Sequence, residues 1–124
     1  MHLYEYAIIR YVPRVDREEF INVGLLMMCK RAKWMQARIN LDNSRLALLR
    51  HCHTPAQIAT QLNAYTLIAQ GAPEAAPMSR LAPEERFRWL TAVKSSCIQT
   101  SRPHPGQTDN LEAEFNRLFN EYVL

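Results

Sequence analysis

The stretch Leu3-Tyr4-Glu5-Tyr6-Ala7-Ile8-Ile9-Arg10-Tyr11-Val12, closed by Pro13, sets the terms for the whole chain. Its aromatic and β-branched residues predict a strand that stops at the proline. Both faces are apolar, with Tyr4, Tyr6, Ile8 and Val12 on one and Leu3, Ala7, Ile9 and Tyr11 on the other. A strand apolar on both faces has to be covered on both, which makes it central in its sheet. Arg10 interrupts the first of these faces near the strand end.

Outward from this strand, residues 13–19 form a polar connection, and a second strand is predicted over about 20–30. Ile21, Val23, Leu25, Met27 and Cys29 make one apolar face; Phe20, Asn22, Gly24, Leu26 and Met28 lie opposite. After the basic turn Lys30-Arg31-Ala32-Lys33, residues 34–41 alternate. Met35, Ala37, Ile39 and Leu41 point one way, and Trp34, Gln36, Arg38 and Asn40 the other. That pattern predicts a third strand with one face in water, paired with the second as an antiparallel hairpin.

The period then lengthens. Asp42-Asn43-Ser44 caps a short helix that ends near His51. Thr54-Pro55-Ala56-Gln57 is a stronger start signal, because threonine accepts a backbone N–H, proline suits the first helical position and glutamine reaches back. Ile58, Leu62, Tyr65 and Ile68 or Ala69 form its apolar stripe, and Gly71 suits its C-terminal cap. Residues 72–79 read as an extended loop. Pro83-Glu84-Glu85 opens another helix, with Phe87, Leu90, Val93 and Cys97 as its buried stripe. Cys97 to Arg102 reads as a short strand, and Pro103-His104-Pro105-Gly106 is expected to break regular structure. Asp109-Asn110-Leu111-Glu112 opens a last helix carrying Leu111, Phe115, Leu118, Phe119 and Tyr122. Strands followed by helices predict an α+β fold. The expected architecture is an antiparallel sheet of three to four strands, with three to four helices packed mainly on one face, in a single domain over 1–124.

At 124 residues, 48% hydrophobic and 22% charged, the chain has the composition of an ordinary globular domain. No stretch approaches the roughly 20 apolar residues of a membrane span. No export signal is visible at the N-terminus. Cys29, Cys52 and Cys97 cannot all pair, so reduced thiols and a cytoplasmic location are expected. The net charge is +3, and the first fifty residues hold nine basic and five acidic side chains. Lys30–Lys33 is the densest positive spot, read first as a solvated turn and second as a phosphate contact.

No glycine-rich phosphate loop, nucleophile elbow, C-x-x-C or H-E-x-x-H is present. His51-Cys52-His53 is the nearest approach to a metal cluster. Adjacent ligands on a short connection rarely converge on one ion, so no metal and no cofactor are expected. Cys97, on an apolar stripe, reads as core rather than as a nucleophile. Arg86, Arg88 and Trp89 form a mixed group in which Trp89 is expected to cover the core edge.

The polar residues inside apolar strands say more. A buried guanidinium needs a partner, and Glu18, Glu19 or Glu5 are the candidates for Arg10. Asn22 supplies two donors and an acceptor, and Gly24 permits close approach of a backbone or ligand. Arg102 lies in the proline-stiffened loop Thr100-Ser101-Arg102-Pro103-His104-Pro105-Gly106, suited to an anion. The candidate binding residues are thus Arg10, Glu19, Asn22, Gly24, Arg102 and His104; no catalytic set is assigned. Arg10, Asn22, Gly24 and Arg102 are expected to line one polar patch at an end of the sheet.

Several segments together resemble a bacterial domain-of-unknown-function family, the one numbered 3037. They are Tyr4-Glu5-Tyr6-Ala7-Ile8-Ile9-Arg10-Tyr11-Val12-Pro13, Glu19-Phe20-Ile21-Asn22-Val23-Gly24, Arg86-Phe87-Arg88-Trp89-Leu90 and Ser101-Arg102-Pro103. The resemblance spans nearly the whole chain and implies no activity or catalytic set. Genes of the family neighbour a kinase-like protein related to the HipA toxin, which implies a protein partner or a regulatory role. The leading expectation is therefore a non-enzymatic accessory protein that binds a protein partner. Nucleic-acid binding through the basic N-terminal half is the first alternative. A small enzyme acting on an anionic substrate, with Glu19 and His104 as an acid–base pair, is the second. No membrane role is expected, and the sequence does not set a homo-oligomeric state.

Overall fold

The computed structural model describes residues 1–124. Its strands are β1 (His2–Tyr11), β2 (Ile21–Cys29), β3 (Trp34–Ile39), β4 (Ile98–Thr100) and β5 (His104–Thr108). Its helices are α1 (Asn43–Leu46), α2 (Pro55–Gln70), α3 (Pro83–Thr91) and α4 (Leu111–Tyr122). The strands form one antiparallel sheet in the order β3-β2-β1, with β4 and β5 following one another along the other side of β1. The fold is α+β, and the strand with two apolar faces lies inside the sheet. Ala7, Ile9 and Tyr11 enter one core, while Tyr4 enters a second on the opposite face. No helix is long and apolar enough to cross a membrane.

The sheet has five strands because β5 forms where a break was expected. Pro105 is tolerated there because β5 pairs only with β1, and an edge strand can lack a ladder donor. Gly106 lies across from Tyr4, and a Cβ at Gly106 would come within 2.4 Å of the Tyr4 ring. The proline and glycine that look like breakers therefore fit an edge strand with an aromatic ring laid over it. Between β4 and β5 Ser101 continues the pairing with both backbone and side chain: its N–H donates to the Ile8 carbonyl at 2.8 Å. Ser101 Oγ accepts the Ile8 N–H at 2.9 Å and donates to the Arg102 carbonyl at 3.0 Å.

β2 also departs from simple alternation. Ile9 pairs with Gly24 and Arg10 with Asn22, which leaves Val23 as an extra residue. This bulge slips the alternation by one position. Val23, Leu26 and Met28 enter the first core; Leu25, Met27 and Cys29 enter the second. The single apolar face expected for Ile21 through Cys29 is thus divided between both cores. Gly24 makes the bulge possible, since a Cβ there would meet Ile39 Cδ1 at 2.7 Å and the Arg38 carbonyl at 2.9 Å. Gly24→Ala is expected to cost about 1–3 kcal/mol by overpacking. Urea unfolding followed by circular dichroism would measure this, and an unchanged midpoint would contradict the clash.

The first core lies under α2 and α3. Helix α2 begins and ends as its sequence signals: Thr54 Oγ1 accepts the Gln57 N–H, Gln57 Oε1 accepts the Thr54 N–H, and Gly71 adopts φ 72°. Arg86 reaches from α3 to the far end of α2 and donates to the carbonyls of Ile68 and Ala69 at 2.9 and 2.8 Å. Helix α3 stops at Thr91, short of its expected stripe. Lys94 Nζ folds back and donates to the carbonyls of Trp89, Leu90 and Ala92. A cation at a helix C-terminus satisfies carbonyls that the helix leaves open. Val93 is therefore fully exposed, and Cys97 lies beyond the helix, half-buried beside β4.

The second core lies under α4, which covers the face of β3 expected to be in water. Trp34 Nε1 donates to Glu112, and Arg38 Nη1 donates to Asn116 Oδ1 at 2.9 Å. The Arg38 guanidinium lies 4.9 Å from the Phe115 ring centroid and 5.1 Å from that of Phe119. Long polar side chains here lie with their stems against the helix and their tips on its polar groups. Asn22 and Arg45 hold the other end of α4 by donating to the carbonyls of Tyr122 and Val123.

Candidate functional site

Arg10 comes one residue before the end of β1, with Asn22 of β2 and Gln99 of β4 as its cross-strand partners. It lies on the sheet face opposite the first core. The chain leaving β1 makes a 3-10 turn over Val15–Arg17, and Glu18 then takes a left-handed conformation at φ 55°. That bend brings Phe20 back against Arg10, whose guanidinium lies 4.3 Å from the ring centroid. Arg10, Val12, Val15, Glu18, Phe20 and Gln99 line an open cleft of ≈ 370 Å³.

None of Glu5, Glu18 or Glu19 pairs with Arg10. Glu19 is held by Arg17 at 2.7 Å, and Asp16 by Arg14 at 2.6 Å, so the loop neutralises most of its own charge. Those contacts hold the Glu19 and Asp16 carboxyls below their ordinary range. Arg10 is lowered by burial alone, from so high a starting value that it stays a cation. Its Nε is buried without an acceptor, and the Asn22 Oδ1 beside it is buried without a donor. The cleft thus presents a guanidinium over an aromatic ring that forms no ion pair with the Glu18 carboxylate lining the same cleft.

Of the other expected site residues only Asn22 lies beside Arg10. Asn22 anchors α4 through its Nδ2. Gly24 packs beneath Ile9 and Ile39 in the first core and so faces away from Arg10. Arg102 is exposed and lines a separate depression of ≈ 300 Å³ between the end of α3 and β4, with Gln99 bordering both hollows. His104 lies on β5 with its ring 5.3 Å from Tyr6, which in turn stacks on Tyr122 at 6.0 Å. Glu19 and His104 therefore belong to different surroundings, one on Arg17 and one on Tyr6.

Two features escaped the sequence reading. Phe20, at 43% exposure, is the platform under Arg10. Its only advance signal is an aromatic residue at the junction of a charged loop and a strand. The other is what the His51-Cys52-His53 turn packs on: it closes over the buried Tyr11. The Tyr11 hydroxyl shares a hydrogen bond of 2.7 Å with His53 Nδ1, and His51 Nδ1 lies 2.8 Å from the His53 carbonyl. Burial, with the nearby Cys97 and Cys52 thiols, pushes Tyr11 up to about 12. Trp89, expected at the core edge, is 43% exposed and borders a third hollow of ≈ 280 Å³ with Tyr65 and Ile68.

A family model described as a protein of unknown function (DUF3037) matches residues 6–123. No curated protein and no solved structure matches the chain.

Proposed function

Since the chain belongs to the DUF3037 family, a family without an assigned activity, we propose from its geometry that it is a non-enzymatic bacterial accessory protein. It acts in the cytoplasm and binds a protein partner through the Arg10 cleft. One observation carries this reading: a guanidinium without an ion-pair partner, 4.3 Å from the ring of a half-exposed phenylalanine at an end of the sheet. Arginine and aromatic side chains are the types that dominate the energetic centres of protein interfaces. Val15, 51% exposed, extends the apolar rim beside them. The acid–base alternative has less support, because the Glu19 carboxylate is engaged by Arg17 and the His104 ring rests on Tyr6.

The first partner to test is the one the resemblance implies, a kinase-like protein related to HipA from the same host. Titration calorimetry of the two purified proteins is expected to give a saturable complex. Phe20→Ala is expected to weaken it by roughly tenfold or more, the ordinary loss at an interface hot spot. Circular dichroism of the variant checks that the sheet is intact. The absence of a complex with the unaltered protein would overturn this choice of partner. A complex indifferent to Phe20→Ala would overturn the cleft as its seat.

A further inference from the structure

We propose that the Arg10 cleft reads a carboxylate, supplied as an Asp or Glu side chain flanked by apolar residues in an extended segment of the partner. This rests on the partner reading above and names the chemistry of its contact.

Every other arginine buried to a comparable degree is spoken for. Arg86 donates to two carbonyls of α2, Arg45 to the Val123 carbonyl, and Arg38 to Asn116. Arg86 also leaves its Nε without an acceptor, but its Nη1 is engaged; Arg10 has the ring of Phe20 on one side, a buried Nε without an acceptor and no ion pair. The Phe20 ring 4.3 Å from the guanidinium carbon limits where the group can move, and its planar fork of donors matches a carboxylate. The walls of the cleft discriminate further. Val12, Val15 and Phe20 offer apolar contact to the neighbours of an acidic residue, and Gln99 offers an amide at the rim.

Glu18 is the one carboxylate that lines the cleft, and it makes no ion pair with Arg10. Its charge opposes a second carboxylate in the same cleft and so weakens binding. Removing its charge is expected to strengthen binding, whereas a cleft designed for a cation would respond in the opposite direction.

The test uses the full chain and three probes: acetyl-Leu-Asp-Leu-amide, the matching Asn peptide and sodium acetate. The readout is the Arg10 Nε–Hε nuclear magnetic resonance signal, identified by its loss in Arg10→Lys. The Asp peptide is expected to shift the signal saturably, while the Asn peptide leaves it in place. In backbone amide spectra, Arg10→Lys is expected to weaken the Asp peptide by about tenfold, since it keeps the charge and loses the fork. Glu18→Gln is expected to tighten it by a few fold. Equal shifts with the Asp and Asn peptides, or unchanged affinity in Arg10→Lys, would overturn the carboxylate. Acetate binding as tightly as the peptide would overturn the extended segment as its source. The two proposals fail separately. A responsive peptide with no HipA-related complex removes that partner and leaves the pocket. A complex that forms equally with Arg10→Lys, together with a silent peptide, removes the pocket and leaves the partner.

Discussion

Raising the pH from about 9 to 12 is expected to remove several kcal/mol of stability, with tyrosine ionisation and unfolding occurring together. Two tyrosines on opposite faces of β1 are responsible. Tyr4 is buried in the second core and donates to the Glu114 carboxylate; burial, then that bond and charge, push it up to about 12. Tyr11 is wholly buried in the first core and is also pushed up to about 12, mainly by burial. An ordinary tyrosine loses its proton near 10. Between the two values the unfolded chain releases protons that the folded chain keeps, so stability must fall as pH rises. The contribution is fully present below about pH 10 and lost through about 12. A difference of this size corresponds to about 2–3 kcal/mol for each tyrosine, and both act in the same window. Urea midpoints over this range, read with the ultraviolet absorbance of tyrosinate, would measure it. Tyr4→Phe and Tyr11→Phe should each reduce the slope. A stability profile that stays level to pH 12 would show that neither hydroxyl is held as described.

What the sequence made legible was local. The two apolar faces of β1, the Thr54/Gln57 box and the Gly71 cap each depend on neighbours within a few residues, and each is where the pattern placed it. The misses involve distant partners. Gly24 signals a close approach beside Val23, but not the bulge itself, because its cause is Ile39, Ile9 and the Arg38 carbonyl closing over Gly24 from flanking strands. Pro105 and Gly106 read as breakers until β5 is paired with β1 and the Tyr4 ring, about a hundred positions earlier, is laid over Gly106. Likewise Trp34, Gln36 and Arg38 look like a solvated face because polar tips can rest on a helix as readily as in water. At the site, Arg10 was visible as a charge inside an apolar strand. Its environment was not, because the position of Phe20 depends on the left-handed backbone at Glu18. The bulge at Val23 explains why Asn22 and Gly24, two positions apart in one strand, face opposite sides of the sheet.

Phe115→Ala is expected to be the most damaging single substitution on the α4 face, at about 3–5 kcal/mol. Phe115 is fully buried, with Trp34 edge-on at 6.2 Å, Phe119 stacked at 6.4 Å and the Arg38 guanidinium over its ring. Truncation removes a ring that all three use, and β3 cannot collapse inward while it is paired to β2. Only one layer of helix covers this face, so the loss falls on the docking of α4 as a whole. Equilibrium unfolding in urea measures the cost, and a loss below about 1 kcal/mol would mean that end contacts, not this ring, hold the helix. Phe87→Ala is the informative comparison, since Phe87 is equally buried in the other core and its loss is expected to cost a similar amount. The two should separate at the cleft. Helix α4 provides the Tyr122 carbonyl that fixes Asn22 beside Arg10, whereas α3 makes no such contact. Under conditions where both variants remain folded, Phe115→Ala should broaden or shift the Arg10 Nε–Hε signal and weaken the acidic peptide, while Phe87→Ala should leave both nearly unchanged. Equal disturbance by the two variants would mean that the Arg10 cleft is shaped by the sheet alone and owes nothing to α4.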